Sequence, residues 1–244
     1  MAGKLKGKVA LITGSSSGIG WASAIALAEE GANLVLTARR KERLTDLEAA
    51  VRKIGGQAVS VVGDAREEET ALKAVEASIS TYGALDILIN NVGIGYYKNI
   101  VDTDPSEFDE MMDTNVRSTF LFTRYAVPLM IDRGSGIILM IASMAGIYGF
   151  AGQAVYCATK FAEVGFAQAL DKELRPHGIK VGLICPGGTK TEFALGKGRT
   201  KKSADESGML QPEDVAKAVL LACTQSPKSR IIMIQMRTMD EALA

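Results

Sequence analysis

The stretch Thr13-Gly14-Ser15-Ser16-Ser17-Gly18-Ile19-Gly20 follows a short apolar run and leads into a helical pattern. Glycines let a backbone approach a pyrophosphate closely, and the N-terminus of a helix favours the negative charge of a phosphate. The spacing is Gly-x-x-x-Gly-x-Gly, which differs from the commoner Gly-x-Gly-x-x-Gly fingerprint. Because it lies between a predicted strand and a predicted helix, this turn predicts the phosphate-binding site of a dinucleotide-binding domain.

The chain on both sides of this turn alternates between apolar runs and helical patterns. The runs are rich in Val, Ile and Leu without polar alternation, as expected of strands covered on both faces. The predicted strands are Val9–Thr13, Asn33–Thr37, Ala58–Val62, Leu85–Asn90, Ile137–Ala142, Ile179–Cys185 and Arg230–Met236. The predicted helices are Gly18–Glu30, Lys41–Ile54, Glu67–Tyr82, Pro105–Ile131, Gln153–Leu174 and Pro212–Gln225. We therefore predict an α/β fold with a Rossmann-type doubly wound parallel sheet of about seven strands and helices on both faces.

The sequence shows no internal domain boundary, so we expect one NAD(P)-binding Rossmann domain over residues 1–244. The segment 187–209 has no clear helical or strand period, and loops of this length are usually either functional lids or disordered. We favour a substrate lid. The basic residues of this segment are typical of a solvated surface, although they could also receive an acidic substrate; they are Lys190, Lys197, Arg199, Lys201 and Lys202.

The composition limits the classes of partner that the chain can have. It contains 28 Lys and Arg against 28 Asp and Glu, so its net charge is zero. This balance argues against nucleic acid or an anionic membrane as the main partner. No apolar run reaches membrane-spanning length, and the sequence shows no charged leader with an apolar core. We therefore expect a cytoplasmic protein with no membrane partner.

The cysteines and the single histidine predict no metal site. Cys157, Cys185 and Cys223 are far apart in sequence and lack the spacing of metal ligands, so we expect buried free thiols. His177 lies in Arg175-Pro176-His177-Gly178, which is typical of a turn between a helix and a strand. Hydrolysis by a Ser-His-Asp triad is therefore not expected.

The end of the second predicted strand indicates which dinucleotide is bound. An NAD site normally places Asp or Glu there to hold the ribose 2′-hydroxyl group. This chain instead reads Leu36-Thr37-Ala38-Arg39-Arg40, with Ala38 at the expected acidic position. Guanidinium groups match a 2′-phosphate in charge and in bidentate geometry, so Arg39 and Arg40 favour NADP(H) over NAD(H). The alternative is that both arginines only cap a solvated helix start.

Tyr156 and Lys160 are one helical turn apart, and Ser143 precedes them at the end of a predicted strand. Residues i and i+4 share a helix face, so a phenol and an ammonium would point into one pocket. A neighbouring cation favours the phenolate and would lower the pKa of the tyrosine toward the range in which it exchanges protons. Taken alone, the pair is also compatible with a surface helix.

Together these motifs resemble the short-chain dehydrogenase/reductase family over nearly the whole chain. The motifs that match in order and context are the glycine turn, Asn90-Asn91-Val92-Gly93, Thr114-Asn115-Val116, the Ser143, Tyr156 and Lys160 set, and Pro186-Gly187 with Thr191. Val92 departs from the usual alanine of this family. The C-terminal region lacks the Gly-Gly segment of many 3-oxoacyl carrier-protein reductases, and it looks more like bacterial NADP-dependent hydroxy-acid and aldehyde reductases.

The resemblance implies a catalytic tetrad of Asn115, Ser143, Tyr156 and Lys160. Tyr156 would exchange a proton with the substrate oxygen, and Ser143 would hydrogen-bond the same oxygen. Lys160 would bind the nicotinamide ribose and lower the pKa of Tyr156. Asn115 would hold a water that links Lys160 to solvent for proton relay.

The resemblance also implies contacts with the dinucleotide. Asp64 would contact the adenine, and Asn91 and Gly93 would line the adenosine ribose. Thr189 and Thr191 would meet the carboxamide or the phosphates. The full set of expected cofactor-binding residues is Gly14, Ser15, Ser17, Gly18, Ile19, Gly20, Arg39, Arg40, Asp64, Asn91, Gly93, Tyr156, Lys160, Pro186, Gly187, Thr189 and Thr191.

The expected activity is NADP(H)-dependent hydride transfer to or from a small-molecule carbonyl or alcohol substrate. The alternatives are a 3-oxoacyl carrier-protein reductase and a protein that binds NADP without turnover. Residues 144–150 with Ile94, Tyr96, Tyr97 and Phe193 would either line an apolar substrate pocket or pack in the core. The family also implies a homodimer or a homotetramer.

Overall fold

The seven apolar runs form the strands of one parallel sheet in a computed structural model, which describes residues 3–200 and 208–239. The strands are β1 (Val9–Thr13), β2 (Asn33–Ala38), β3 (Gln57–Val62), β4 (Ile87–Asn90), β5 (Gly136–Ile141), β6 (Ile179–Pro186) and β7 (Met233–Met236). They are arranged in the order β3-β2-β1-β4-β5-β6-β7. The predicted parallel sheet is therefore confirmed.

Helices cover both faces of the sheet. They are α1 (Gly18–Glu29), α2 (Lys41–Lys53), α3 (Glu68–Tyr82), α4 (Pro105–Met111), α5 (Ser118–Arg133), α6 (Ala154–Leu174) and α7 (Pro212–Cys223). Successive side chains of a strand point to opposite faces. Val9 and Leu11 therefore pack into a core formed with α3, α5 and α6. Ala10 and Ile12 pack into a second core formed with α1, α2 and α7.

The two edge strands differ from the expectation that every strand is covered on both faces. β3 is partly exposed along its whole length, and β7 is also only partly buried. Each has a neighbouring strand on one side alone, so fewer side chains cover it. The apolar character of these two runs did not distinguish them from the central strands.

The single helix predicted for Pro105–Ile131 is interrupted. α4 ends at Met111, a π-helical turn covers Met112–Arg117, and α5 begins at Ser118. A π turn inserts one residue into a helix and re-aims the side chains that follow it. Asn115 lies in this turn. The 3.6-residue pattern continues on both sides, which is why the interruption was not predicted.

The strand order reverses beside β1, because β2 and β3 lie on one side of it and β4 lies on the other. Such a switch point opens a crevice at the carboxyl ends of the strands. The glycine turn follows β1 at this crevice, and Asn91 follows β4. The topology therefore brings together two motifs that are far apart in sequence.

The three cysteines and the single histidine are far from forming a metal site in the described residues. Cys157, Cys185 and Cys223 are buried free thiols, as predicted. His177 is exposed at the end of a short 3-10 turn, and Gly178 follows it with a φ of 74°. Within residues 3–200 and 208–239, no three His, Cys, Asp or Glu side chains are placed to hold a metal ion. Across the same ranges, no helix is both long and apolar enough to cross a membrane.

Candidate active site

The glycine turn comes close to other chain segments at positions that exclude a side chain. Gly18 has a φ of 56°, and a Cβ atom there would lie 2.9 Å from the Thr191 methyl group. A Cβ atom on Gly20 would lie 2.5 Å from Asn91 Nδ2. Since α1 begins at Gly18, the unpaired N–H groups of its first turn lie at this turn. The residues present therefore fit a bound pyrophosphate.

Asn91 braces the glycine turn. Its backbone N–H donates to Thr13 Oγ1 over 2.9 Å, and its Nδ2 donates to the carbonyls of Thr13 and Gly14 over 2.9 and 3.1 Å. Asn91 lines the cleft where a ribose contact was expected. Its side-chain amide group, however, is used to hold the end of β4 against the end of β1.

The three consecutive serines of the turn have different surroundings. Ser15 is fully buried, and its Oγ donates to Thr37 O over 3.4 Å, so its side chain does not line the cleft. Ser16 and Ser17 do line it. The Ser16 hydroxyl accepts from Nε and Nη2 of Arg40 over 3.2 and 3.0 Å. Ser16 was not among the predicted residues, and its only sequence signal was its place in the turn.

Arg40 connects the turn to the segment that follows β6. Its Nη2 donates to Ser17 Oγ over 2.8 Å, and its Nη1 forms an ion pair with Glu192 Oε2 at 2.7 Å. Arg39 also lines the cleft, and Ala38 supplies no carboxylate there. This corner of the cleft therefore combines two guanidinium groups with two hydroxyl groups.

Asp64 lies beside this corner and is held as a carboxylate. Arg66 Nη2 is 2.7 Å from Asp64 Oδ2. The hydrogen bond from Arg66 lowers the pKa of Asp64 below its ordinary value, although partial burial opposes the shift. Asp64 lines the cleft at the end of β3, where an adenine contact was expected.

Ser143 and Tyr156 meet at the end of β5. The Ser143 Oγ accepts from the Ala145 N–H over 3.1 Å, which leaves its hydroxyl hydrogen free to donate. Tyr156 is only 5% exposed. Burial raises the pKa of Tyr156 above its ordinary value, and a hydrogen bond with Ser143 opposes this effect only in part. The predicted lowering of this pKa is therefore not found.

Lys160 is buried, and its ammonium group has an acidic partner. Its Nζ lies 2.9 and 3.0 Å from the two carboxylate oxygens of Glu163, and it donates to Ile141 O over 3.2 Å. The same Nζ lies 5.9 Å from the centre of the Tyr156 ring. The Lys160 ammonium group therefore lies closer to the Glu163 carboxyl group than to the Tyr156 ring.

Glu163 was not identified from the sequence. It stands in the apolar stretch Phe161-Ala162-Glu163-Val164-Gly165-Phe166 and is only 2% exposed. An acidic residue three positions after Lys160 in such a stretch was the available signal. Residues i and i+3 share a helix face, so the pairing follows from the spacing once the helix is known to be buried.

The π-helical turn places Asn115 near Lys160, beside Ile94 and Thr159. Its Oδ1 accepts from Ile94 N over 2.8 Å, and its Nδ2 donates to Ile94 O and Thr159 Oγ1 over 2.9 Å each. A Cβ atom on Gly93 would lie 3.5 Å from Lys160 Nζ and 3.6 Å from Asn115 Oδ1. Gly93 therefore leaves a gap between these two side chains, although Asn115 itself does not line the cleft.

The remaining predicted residues lie around the same cleft, except Gly20, which is buried in the first turn of α1. Thr189 Oγ1 donates to Gly187 O over 3.1 Å, and Thr191 Oγ1 accepts from Phe193 N over 3.2 Å. The predicted residues that line the cleft are Gly14, Ser17, Gly18, Ile19, Arg39, Arg40, Asp64, Asn91, Gly93, Ser143, Tyr156, Lys160, Pro186, Gly187, Thr189 and Thr191. Of the segment 187–209, residues 201–207 lie outside the described residues.

Three aromatic rings form one wall of the cleft, which has a volume of about 780 Å³. The Tyr156 ring centre lies 5.7 Å from that of Tyr97 and 5.6 Å from that of Phe193. Met144, Ala145, Phe150 and Ile94 also line the cleft. The apolar set therefore divides between the cleft and the core, because Ile147 packs in the core formed with α3, α5 and α6. Two tyrosines of the set make other contacts. Tyr96 bonds Glu110 and Lys197, and Tyr148 is exposed beneath Arg237.

A Rossmann-type sheet with a glycine turn after its first strand defines the class of proteins with a nucleotide-binding fold. The family model described as short chain dehydrogenase matches residues 8–202. The chain belongs to the short-chain dehydrogenase family.

Known relatives are similar to this protein over nearly the whole length of the chain. An uncharacterized oxidoreductase of Staphylococcus aureus is 36% identical over 234 residues, which are 96% of this chain and 98% of that protein. A metagenomic short-chain oxidoreductase in complex with NADP is 31% identical with a TM-score of 0.84, covering 98% of this chain and 100% of that one. A 3-ketoacyl-(acyl-carrier-protein) reductase from Brucella melitensis complexed with NADH is 33% identical with a TM-score of 0.86, covering 95% and 97% of the two chains.

Proposed function

We propose that this chain is an NADP(H)-dependent oxidoreductase that transfers a hydride between the nicotinamide and a carbonyl or secondary alcohol substrate. The observation that carries the proposal is that Ser143, Tyr156 and Lys160 line the same cleft as the glycine turn. A proton donor, a second hydrogen-bond donor and a phosphate-binding turn are the parts that such a reaction needs from a protein.

The residues divide the chemistry between them. In reduction, the Tyr156 phenol donates its proton to the carbonyl oxygen, and the Ser143 hydroxyl hydrogen-bonds the same oxygen as negative charge develops. A bound nicotinamide supplies the hydride. Lys160 is proposed to hold the ribose, and Asn115 is proposed to position a water beside Lys160.

The preference for NADP(H) is supported by the corner around Arg40. Ser16, Ser17 and Arg40 are already joined by hydrogen bonds of 2.8–3.2 Å, and Arg39 lines the cleft next to them. A 2′-phosphate needs guanidinium and hydroxyl donors of this kind. The relative that was solved with NADP supports this assignment, and the relative solved with NADH marks the alternative.

The aromatic wall favours a substrate with an apolar body beside its carbonyl group. Tyr97 and Phe193 pack against Tyr156, so a substrate that reaches the phenol has to pass along these rings. A 3-oxoacyl carrier-protein reductase is the second candidate. The similarity to the Brucella melitensis protein favours it, and a thioester substrate tests it.

An assembly of identical subunits forms part of the proposal. Phe120 on α5 and Phe161 on α6 are 45% and 47% exposed, whereas the adjacent Leu121 and Phe122 are buried. Two exposed aromatic rings on consecutive helices are compatible with a homodimer or a homotetramer. The cytoplasm is the proposed compartment.

The test replaces the proton donor. Tyr156→Phe and wild type are assayed for NADPH and NADH oxidation with ketones, aldehydes, 3-oxo esters and 3-oxoacyl thioesters. Because a positioned acid contributes about 10²- to 10⁴-fold, the variant is expected to lose at least about 100-fold in kcat. Tyr148→Phe is the matched control, since Tyr148 is exposed and lies outside the cleft.

Two results would contradict the proposal. Equal rates for wild type and Tyr156→Phe would remove Tyr156 from the chemistry. Tight NADPH binding by wild type without turnover of any substrate would favour a protein that binds NADP without catalysis.

A further inference from the structure

Glu163 is a buried carboxylate that the proposed reaction does not use. It is 2% exposed on α6, and both of its oxygens lie within 3.0 Å of Lys160 Nζ. An ammonium group has three N–H donors, and here three oxygens surround it, two from Glu163 and one from Ile141 at 3.2 Å. Each N–H group of Lys160 therefore has an oxygen of Glu163 or β5 within hydrogen-bond distance, and a ribose held by Lys160 would have to replace one of these bonds.

Burying the Lys160–Glu163 pair costs desolvation free energy. Two charges removed from water regain their hydration energy only when the geometry and the remaining hydrogen bonds are good. Position 163 lies in a helix whose buried neighbours, such as Val164 and Ala167, are apolar, so an apolar side chain would suit the core there. The structure instead retains a carboxylate next to the lysine of the active site.

Several groups that titrate lie near Glu163 or Tyr156 in the described part of the chain, and Tyr97 is one of them, with its ring centre 5.7 Å from that of Tyr156. Lys160 and Tyr156 share its helix, and Cys157 lies beside Tyr156 on the same helix. From β6, Cys185 faces both Glu163 and Lys160. β5 contributes the neutral Ile141 carbonyl. In the described part of the chain, the salt bridge to Lys160 is the only one that Glu163 makes.

We propose that Glu163 is a positioning residue that holds the Lys160 ammonium and offsets its charge, so that Tyr156 stays a neutral phenol poised to donate a proton. The consequence for catalysis rests on the function proposed above. The ionisation of Tyr156 can be measured without any turnover.

The charges of Lys160 and Glu163 act on the pKa of Tyr156 in opposite directions. A lone cation 5.9 Å from the centre of the Tyr156 ring would favour the phenolate. With Glu163 ionised, the pair carries no net charge, and the carboxylate adds to the burial that raises the pKa of Tyr156. Burial also raises the pKa of Glu163 to about 7, against the stabilising charge of Lys160. Since the pKa of Tyr156 lies above its ordinary value, Glu163 is ionised throughout the pH range in which Tyr156 loses its proton.

The primary experiment measures when Tyr156 ionises. Glu163→Gln keeps the shape and an acceptor for Lys160 but removes the negative charge. Tyrosinate absorbance is titrated in wild type and Glu163→Gln, each corrected by the same protein carrying Tyr156→Phe. We expect Tyr156 to ionise at least about one pH unit lower in Glu163→Gln, because an uncompensated cation nearby shifts a pKa by about one to three units.

The matched control is Glu173→Gln, which removes the same charge from an exposed position of α6 and should leave the Tyr156 titration unchanged. A second readout is the pH profile of carbonyl reduction. Its high-pH decline should move to lower pH in Glu163→Gln by the same amount as the titration. A residue that only stabilised the fold would lower activity without moving this decline.

Glu163→Asp provides a second variant in case Glu163→Gln does not fold. It keeps the charge but withdraws the carboxylate by one methylene, so Tyr156 should ionise at a pH between those of wild type and Glu163→Gln. Unchanged ionisation of Tyr156 in a folded variant would overturn the role of Glu163. A shifted titration in a chain that reduces no carbonyl would instead overturn the proposed function and leave this role standing.

Discussion

Tyr156 is the proposed proton donor, and its side chain is almost completely buried. Tyr97 and Phe193 pack on its ring, and Ser143 is the hydrogen-bond partner of its hydroxyl group. A proton donor must be protonated when the substrate arrives. Burial, which raises the pKa of Tyr156, therefore suits it to carbonyl reduction more than to alcohol oxidation at neutral pH.

The pH dependence of reduction follows from this shift. Because the pKa of Tyr156 is raised, the protonated donor persists through the ordinary tyrosine range, and kcat/KM should stay level up to about pH 10. The decline should appear only above that pH. Steady-state NADPH oxidation from pH 6 to pH 11 in overlapping buffers measures it, with Tyr156→Phe as the control that lacks the decline. A decline close to neutral pH would contradict the direction of the shift.

At the scale of elements, the segment after β6 reaches across the cleft to the start of α2. Glu192 lies 2.7 Å from Arg40 and 3.4 Å from Arg43. The hydrogen bond from Arg40 lowers the pKa of Glu192, so this carboxylate stays ionised at neutral pH. Glu192 therefore uses the same guanidinium group that is proposed to hold the 2′-phosphate.

Replacing Glu192 tests this competition. Glu192→Gln should lower the KM for NADPH by about two- to fivefold, because an exposed ion pair is worth up to about 1 kcal/mol. The KM for NADH should not change, since NADH carries no 2′-phosphate. Glu42→Gln, at an exposed position of α2, is the charge-matched control. An equal change for both dinucleotides would show that Glu192 does not compete at Arg40.

At the scale of the whole molecule, the cleft is shared by both faces of the sheet. α1 belongs to the layer on one face and carries the glycine turn. α6 belongs to the layer on the other face and carries Tyr156 and Lys160. A dinucleotide that spans the cleft would contact both layers, so its binding should stabilise the entire fold.

Thermal unfolding measures this stabilisation and the cofactor preference together. NADPH at about 100 times its Kd should add about 2.7 kcal/mol, which raises Tm by roughly 5–10 °C for a chain of this size. NADH at the same concentration should raise Tm less. In Arg40→Met the advantage of NADPH should disappear, whereas Arg43→Met should retain it. Equal shifts with both dinucleotides in wild type would contradict the NADP(H) preference.

The spacing of apolar residues predicted most strands and helices, because this spacing differs between a strand and a helix. β1 has the predicted bounds, and α1 begins at the predicted Gly18. The π-helical turn at Met112–Arg117 was missed because one inserted residue barely alters the apolar period. The pairing of Arg40 with Glu192 was missed because it joins residues 152 positions apart.

The sequence by itself determined the alternation of strands and helices, the glycine turn after β1 and the spacing of Tyr156 and Lys160. These are short-range features, set by backbone preferences and by side-chain periodicity. Only the tertiary structure decided that Ser16 rather than Ser15 faces the cleft and that Glu163 pairs with Lys160. Burial and charge pairing depend on which segments surround a residue, and here burial raises the pKa of the tyrosine whose position the spacing alone had predicted.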